Sequence, residues 1–553
     1  MLGMVLLCLI SIGAFADSAQ WWKDAVIYQI YPRSFQDSNS DGIGDLRGLI
    51  NRIPYLSDLG IDAIWLSPIH KSPNKDFGYD VADYYSVHPQ LGSLQDFEDL
   101  IVACKQKNIR VILDLVVNHT SDQHGWFKQS RKSRKNKKRD WYIWTSKPNN
   151  WRSRLDESAW EYDQATGEYY MHSFLKEQPD LNWRHPEVRA EVKKIMRFWL
   201  DKGVAGFRLD LANYYSKDKQ LRDNPKAISW DKWGSSFAYA YHGQEHVYDK
   251  NNFPELLEIY REMRQVADSY HAVLLGEFDN DDQEAELSAR ALGGDLEGLH
   301  LAFNFKFLKS SLGAQELENT ILEWERALPS GAQPVYTLSN HDNIRHISRY
   351  GNSEDKARLA AMLLLTLKGT PVLYYGEEIG MKEAMIDWKD LQDPVHKIMK
   401  VGAWVRYAIE FATYHSGPPV KRDECRTPMQ WSKALHAGFS NAKKPWVQMS
   451  TDFDRIHVAA QKEDPDSLLT LYKKLIHLRK ENLNLRQGVQ KIQVQADKNL
   501  LIYTRGDLFV ALNMGNQEIE LKHTARPKVI LSTQANGSQG FKLKALEGII
   551  WHY

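Results

Sequence analysis

A chain of 553 residues exceeds one small domain and leaves room for a single large barrel with attachments, or for several domains. It is 43% hydrophobic and holds 18 Trp and 26 Tyr, which excludes wholesale disorder. Lys plus Arg and Asp plus Glu both total 71, so no bulk field selects nucleic acid or an acidic membrane as partner.

The N-terminus, MLGMVLLCLISIGAFADSAQ, has an apolar core of about a dozen residues, too short to span a bilayer. Ala14-Phe15-Ala16 fits a small-x-small cleavage pattern, so residues 1–16 read as a secretory signal peptide, although no Lys or Arg precedes the apolar core. A periplasmic or secreted protein is expected, or a cytoplasmic one if translation starts at Met4 or later. No second long apolar run follows, and no membrane partner is expected.

Next comes DSNSDGIGD. Asp37, Asn39, Asp41 and Asp45, with the Ile43 carbonyl between them, offer hard oxygen donors at a spacing that suits Ca²⁺, or Mg²⁺ with waters. The loop lacks the Glu at position twelve of an EF-hand and runs into a helix-like LRGLINRIPYLSDLG. An Asx-rich turn without an ion is the competing reading.

Short β-branched and aromatic runs then recur: AVIYQIYP, DAIWLSP, RVILDLVVNH, GFRLDLAN, AVLLGEF, AFNFKF, PVYTLSN and PVLYYGEE. Helix-like segments such as EVRAEVKKIMRFWLDKG separate most of them. Eight such strands predict an α/β protein built on a parallel (β/α)8 TIM barrel. Their nearly continuous apolar character suits strands buried on both faces. About ninety residues separate the third strand from the fourth, far more than one crossover helix needs. Residues 119–177 are therefore expected to form an inserted subdomain, with the barrel spanning 17–118 and 178–484. From about residue 485 the pattern turns to short strands and turns, predicting a C-terminal antiparallel β domain over 485–553. The basic run KQSRKSRKNKKRD reads as a solvated loop. Cys8 would leave with the signal, Cys104 reads as a small core residue, and sequence does not decide whether it pairs with Cys425.

Polar residues crowd the C-terminal ends of these strands, the face on which barrel enzymes build their sites. Asp114, Asn118 and His119 follow strand three, Arg208 and Asp210 lie on strand four, Glu277 ends strand five and Asn340-His341-Asp342 ends strand seven. One such acid is more often a cap or turn residue; several acids with two histidines suit glycosidic bond cleavage. That reaction needs one carboxylate at the anomeric carbon and a carboxyl group that protonates the leaving oxygen. No GxxxxGK[ST] phosphate cradle and no HExxH or Cys/His cluster is present.

DLVVNH, GFRLDLAN, GEF and LSNHD, in this order and spacing, resemble the four strand-end motifs of the α-amylase superfamily, and QPDLNW resembles its fifth. GYDVADY, GEEIGM and CRTPMQW narrow the resemblance to the α-glucosidase and oligo-1,6-glucosidase branch. It implies Asp210 as nucleophile, Glu277 as general acid/base and Asp342 as the acid that stabilises the distorted sugar. Arg208 would keep Asp210 charged, while His119 and His341 would bond glucose hydroxyls. Asp80 and Arg426 would grip the non-reducing end, and Tyr79 would be the platform beneath it. The implied activity is a retaining exo-α-glucosidase on short α-glucosides such as maltose or sucrose. It predicts a covalent intermediate and Asp210 and Glu277 carboxyl groups about 5 to 5.5 Å apart. The branch also implies that the metal in DSNSDGIGD would be structural Ca²⁺.

The residue after the nucleophile, Leu211, is neither the valine that resembles α-1,6 enzymes nor the Ala or Thr of α-1,4 enzymes. Oligo-1,6-glucosidase, glucosyltransferase and sucrose isomerase therefore stay as alternatives on the same site. A more remote alternative is a non-catalytic relative of transporter heavy chains, which would carry a full membrane helix.

Overall fold

Eight short strands share one parallel sheet: β1 (Ile27–Ile30), β2 (Ala63–Leu66), β3 (Arg110–Leu115), β4 (Gly206–Leu209), β5 (Val273–Gly276), β6 (Leu301–Ala302), β7 (Val335–Thr337) and β8 (Thr370–Tyr374). Their order is β6-β5-β4-β3-β2-β1-β8-β7. A parallel bridge from Phe303 to Val335 joins the two edges, so the sheet closes into the expected barrel. The computed structural model describes residues 20–154, 158–226, 244–278, 284–394, 421–521, 528–535, 537 and 542–552. The signal peptide read from the sequence lies outside them.

Every residue of these strands except Arg110 is buried, as strands covered on both faces require. Alternation assigns the faces. Ile27, Ala63, Trp65, Ile112, Leu275 and Val372 fill the interior, whereas Tyr28, Ile30, Ile64, Leu113 and Phe207 pack outward. Gly206 lets β4 sit tightly on β5, because a Cβ there would lie 2.5 Å from the Val273 carbonyl oxygen.

One principal helix follows each strand: α1 (Leu46–Leu59), α2 (Leu94–Gln106), α3 (Pro186–Asp201), α4 (Glu255–Asp268), α5 (Glu284–Leu292), α6 (Ala314–Ala327), α7 (Glu354–Thr366) and α8 (Leu468–Glu481). Local chemistry starts several of them. Asp45 caps α1 by accepting from Gly48 N, Ser93 and Asp96 form a capping box on α2, and Pro186 opens α3.

Between β3 and α3 stands a three-stranded antiparallel sheet of Trp144–Thr145, Glu168–Met171 and Trp160–Asp163. Bridges from His119 to Asp180 and from Tyr142 to Leu181 tie the start of this insertion to its end. At the C-terminus β9 (Gln490–Gln495), β10 (Leu500–Arg505), β11 (Leu508–Asn513), β12 (Lys528–Ser532) and β13 (Gly548–His552) form an antiparallel sheet in the order β9-β10-β11-β13-β12.

Two buried arginines seal the end of α7, and one of them, Arg505, joins that sheet to the barrel. Arg479 of α8 donates to the carbonyls of Leu365 and Leu367, each at 3.1 Å, and Arg505 of β10 donates to that of Thr366 at 2.7 Å. These are the last, otherwise orphaned acceptors of α7, where cations also meet the negative end of the helix dipole.

Candidate active site

The barrel's own geometry delivers the acids. Arg208 projects inward from β4 over the Trp65 ring, 5.2 Å from its centroid. Its Nη1 donates to Asp114 Oδ1 at 2.7 Å and to Asp210 Oδ1 at 2.8 Å, and its Nη2 pairs with Glu277. Acids from β3, β4 and the end of β5 thus share one guanidinium. The other Asp210 oxygen, Oδ2, is buried and has no hydrogen-bond partner among the described residues.

Directly after Asp210 the chain turns through Leu211 in the left-handed region, at φ 44° and ψ 50°. A non-glycine residue there carries strain, which clusters at functional sites. The turn aims Leu211 N at Glu277 Oε2, 3.2 Å away, while Ala212 N donates to the Glu277 carbonyl at 2.9 Å.

One cation cannot neutralise three buried carboxylates. Burial pushes the Asp210 and Glu277 carboxyls up, Arg208 pulls both down, and the neighbouring acids push both up again. Such a cluster titrates as a unit.

His341 and Asp342 lie in the loop after β7. Gln29 Nε2 donates to His341 Nδ1 at 2.8 Å, so the ring proton sits on Nε2. That Nε2 lies 2.5 Å from the Tyr79 hydroxyl and 3.1 Å from Asp342 Oδ2. Tyr79 lies parallel to the His341 ring, with centroids 5.4 Å apart, and its hydroxyl donates to Asp114 Oδ2 at 3.2 Å. Burial lowers His341 to a pKa of about 3, so the ring is neutral. Asp342 Oδ1 accepts from Arg422 at 3.0 Å and from Arg426 at 2.7 Å. Against the upward push of burial, His341, Arg422, Arg426 and Arg208 hold this carboxyl well below the usual carboxylate range. The Asp342 side chain is 31% exposed, against 5% for Asp210 and 10% for Glu277, so the site opens on the Asp342 side.

His119 enters from the other flank. Its Nε2 donates to the Tyr79 carbonyl at 2.9 Å, and its Nδ1 faces Asn118 Nδ2 at 3.2 Å. Burial lowers it to about 4, leaving it neutral. Gln178, from QPDLNW, donates to the same carbonyl and to Asp76 Oδ2, each at 3.1 Å. Asp180 of the same motif pairs with buried Lys217 at 2.7 Å.

The expected Asp80–Arg426 pair does not form. Asp80 lies inside its own tight loop, where Ser72 Oγ (2.6 Å), Lys75 N (2.8 Å) and Asp76 N (3.0 Å) are nearer donors than any arginine. Arg426 is 1% exposed and donates to the His341 carbonyl and Asp342, each at 2.7 Å. The ion pair across the site is shifted four residues at both ends: Arg422 meets Asp76 at 3.2 Å. Asp393 accepts from Arg422 at 2.5 and 2.9 Å and faces Arg426 at 3.5 Å. Sequence reasoning passed over Asp76, Gln178, Asp393 and Arg422; the first arginine of KRDECRTP and the first acid of KDFGYD were the available signals.

In the opening loop, Asp37 Oδ1 accepts from Asn39 N (3.0 Å) and Ser40 N (2.8 Å), and its Oδ2 from Gly42 N (2.8 Å) and Ser440 Oγ (2.5 Å). Asn39 Oδ1 accepts from Asp41 N at 2.9 Å and Asp41 Oδ1 from Ile43 N at 2.8 Å. Asp45 accepts from Ser38 and Gly48. Among the described residues no group of three or more His, Cys, Asp or Glu side chains is arranged as a metal site. The set is all oxygen, as a hard cation requires, but both Asp37 oxygens and Asp45 Oδ1 already accept two hydrogen bonds each, which leaves Asn39 Oδ1, Asp41, Asp45 Oδ2 and the Ile43 carbonyl as the donors with room for an ion. Cys104 and Cys425 are both buried and unpaired thiols.

A closed parallel barrel with its acids gathered at the carboxyl ends of β3, β4, β5 and the loop after β7 defines a barrel enzyme. The chain belongs to the α-amylase family, whose catalytic-domain model matches residues 29–488. It is 41% identical over 515 residues to a "Probable alpha-glucosidase" of Rhizobium meliloti, covering 90% of this chain and 88% of that protein. An oligo-1,6-glucosidase of Parageobacillus thermoglucosidasius is 38% identical over 528 residues, covering 90% and 89%. Among solved structures, the α-glucosyl transfer enzyme XgtA superposes with a TM-score of 0.85 at 35% identity, covering 96% of this chain and 99% of that one. An isomaltulose synthase mutant from Erwinia rhapontici, solved with sucrose, gives 0.84 at 33% identity, covering 96% and 98%.

Proposed function

We propose that this chain is a retaining, exo-acting α-glucosidase that releases α-glucose from short α-glucosides. The observation that carries the reading is the state of Asp210: one oxygen fixed by Arg208, the other buried and unbonded. That is the condition of a nucleophile held ready to attack a carbon. Burial and the neighbouring acids push both carboxyls up, Asp210 the further of the two; with Asp210 as the nucleophile, Glu277 is the acid left to give a proton to the leaving oxygen. Asp342, held ionised by two arginines, faces the charge that develops on the sugar ring. Asp76 and Arg422 tie the loop after β2 to the segment before Arg426 and wall off one end of the site, which favours removal of terminal units.

Proton NMR of the protein with maltose, isomaltose and sucrose, taken separately from the earliest minutes, tests the reading. Early α-glucose supports it, and early β-glucose would refute retention. The solved relatives named for glucosyl transfer and isomaltulose synthesis favour a second outcome, new glucosidic signals from transfer to a sugar. A transporter-heavy-chain role finds no support: among the described residues no helix is long and apolar enough to cross a membrane, and the three acids are gathered together.

Burial raises the Asp76 carboxyl to about 7, against the pull of Arg422 and with Asp393 and Asp80 adding to the push. The ion pair with Arg422 is therefore complete above that pH and weakens below it. KM for a disaccharide is expected to rise as pH falls through about 7, and the dependence should vanish in Asp76→Asn; a pH series of KM values for both proteins decides.

Asp37, Asn39, Asp41, Asp45 and the Ile43 carbonyl would hold Ca²⁺ as a brace at the start of α1, remote from the chemistry. Chelation is then expected to lower the melting temperature by several degrees, about 1 kcal/mol or more. An unchanged melting curve would remove the ion from the account. From the N-terminal MLGMVLLCLISIGAFA stretch we infer a periplasmic or secreted enzyme, or a cytoplasmic one if translation starts at Met4 or later.

A further inference from the structure

We propose that Ser34, Tyr374 and Tyr375 are positioning residues for Asp342, acting through Arg426; the inference rests on the glucosidase reading above. Three successive carbonyls each accept a hydroxyl: Cys425 from Tyr374 at 3.1 Å, Arg426 from Ser34 at 2.5 Å and Thr427 from Tyr375 at 2.7 Å. Met429 N closes the set on the Ser34 carbonyl at 2.8 Å. All six residues that give or accept these hydroxyls are buried.

The segment from Cys425 to Thr427 belongs to no helix or strand, so no ladder satisfies its carbonyls. The donors come from the barrel instead. Ser34 follows β1, Tyr374 ends β8 and Tyr375 comes directly after it. The segment therefore takes its position from two barrel strands rather than from its own fold. Arg345 secures the same pair of rings: its Nη1 donates to the Tyr375 carbonyl at 2.8 Å, and its guanidinium lies 4.7 and 4.9 Å from their centroids.

Arg426 stands in the middle of this clamp. Its Nε fixes the His341 carbonyl and its Nη2 fixes Asp342 Oδ1. With 1% exposure and its nitrogens turned to the protein, Arg426 is a back-plate for Asp342 and not a sugar contact. The place of Asp342 relative to Asp210 and Glu277 is thus set twice: by the loop after β7, and by hydroxyls from β1 and β8. A displacement of a fraction of an ångström at such an acid weakens its hold on the transition state more than on bound substrate.

Full-length enzyme and a 4-nitrophenyl α-glucoside provide the assay. Tyr375→Phe and Ser34→Ala are expected to lower kcat by about 10- to 100-fold with KM within about twofold. Tyr503→Phe is the matched control, because it deletes a buried hydroxyl bond to Thr366 Oγ1, 2.5 Å long, in the C-terminal sheet. It should melt lower, as the others do, and keep its kcat. Equal kcat losses in all three variants, or a rise in KM in place of a fall in kcat, would overturn the positioning role. Ser34→Ala decides alone if Tyr375→Phe does not fold. Wild-type protein that turns over no α-glucoside would instead count against the glucosidase reading.

Discussion

Asp210→Asn is expected to abolish turnover, by about 10⁴-fold or more, and to leave the fold intact. An amide cannot form the glycosyl ester on which a retaining mechanism depends. The same change removes a charge from a cluster that holds three carboxylates against one guanidinium, so it relieves repulsion while weakening the bond to Arg208. These effects oppose each other, and the melting temperature should move little. Steady-state rates together with melting curves make the test. Near-normal activity in the folded variant would end the assignment of Asp210 as nucleophile.

Glu277→Gln carries the second large effect. The variant cannot protonate a leaving alkoxide, so hydrolysis of maltose should fall by about 10³-fold or more. A donor with an acidic phenol as leaving group needs little protonation and should lose far less in the first step. Its glucosyl-enzyme would then persist, because no base activates water. Azide needs no base and should restore turnover as glucosyl azide, a product that NMR identifies directly. In wild type the acid must be protonated. Because burial and Asp342 raise the Glu277 pKa, activity should persist from mildly acid pH to the region of that pKa and fall as pH rises through it. That alkaline limb should be absent in Glu277→Gln with the phenolic donor. Equal losses on both donors, without azide rescue, would mean that Glu277 is not the acid/base.

The barrel was legible because most strands lie in runs of apolar, often β-branched residues and several helices carry a capping side chain and an apolar stripe. The sixth strand was placed only roughly: AFNFKF overlaps Leu301–Ala302 at Ala302 alone, and its last three residues start a short helix, Phe305–Lys309. The acids were legible because they sit on strand ends, where side-chain direction follows from the strand. The grip on the non-reducing end was not. Asp76 lies in an irregular loop and Arg422 in a single short 3-10 turn, where spacing does not fix direction, and a neighbouring Asp and Arg four residues away invited the wrong pairing. Backbone donors decided it: Asp80 has two N–H groups within its own loop, and a carboxylate so supplied does not swing across the site. The same competition governs DSNSDGIGD, whose acids turn their own loop and cap α1 whether or not an ion is bound.

The two arginines beneath α7 bear on how such a chain could be divided. Arg505 belongs to the C-terminal sheet, yet the carbonyl it satisfies ends the helix between β7, which leads to His341 and Asp342, and β8, which ends in Tyr374. In assembly terms the terminal sheet is a missing cap of the barrel, supplied late in the chain. A shorter chain ending after α8 would retain every acid named above and still leave Thr366 without its partner. The catalytic barrel is therefore not a module that could be excised or recombined freely: its last stitch is sewn by residues that come after it.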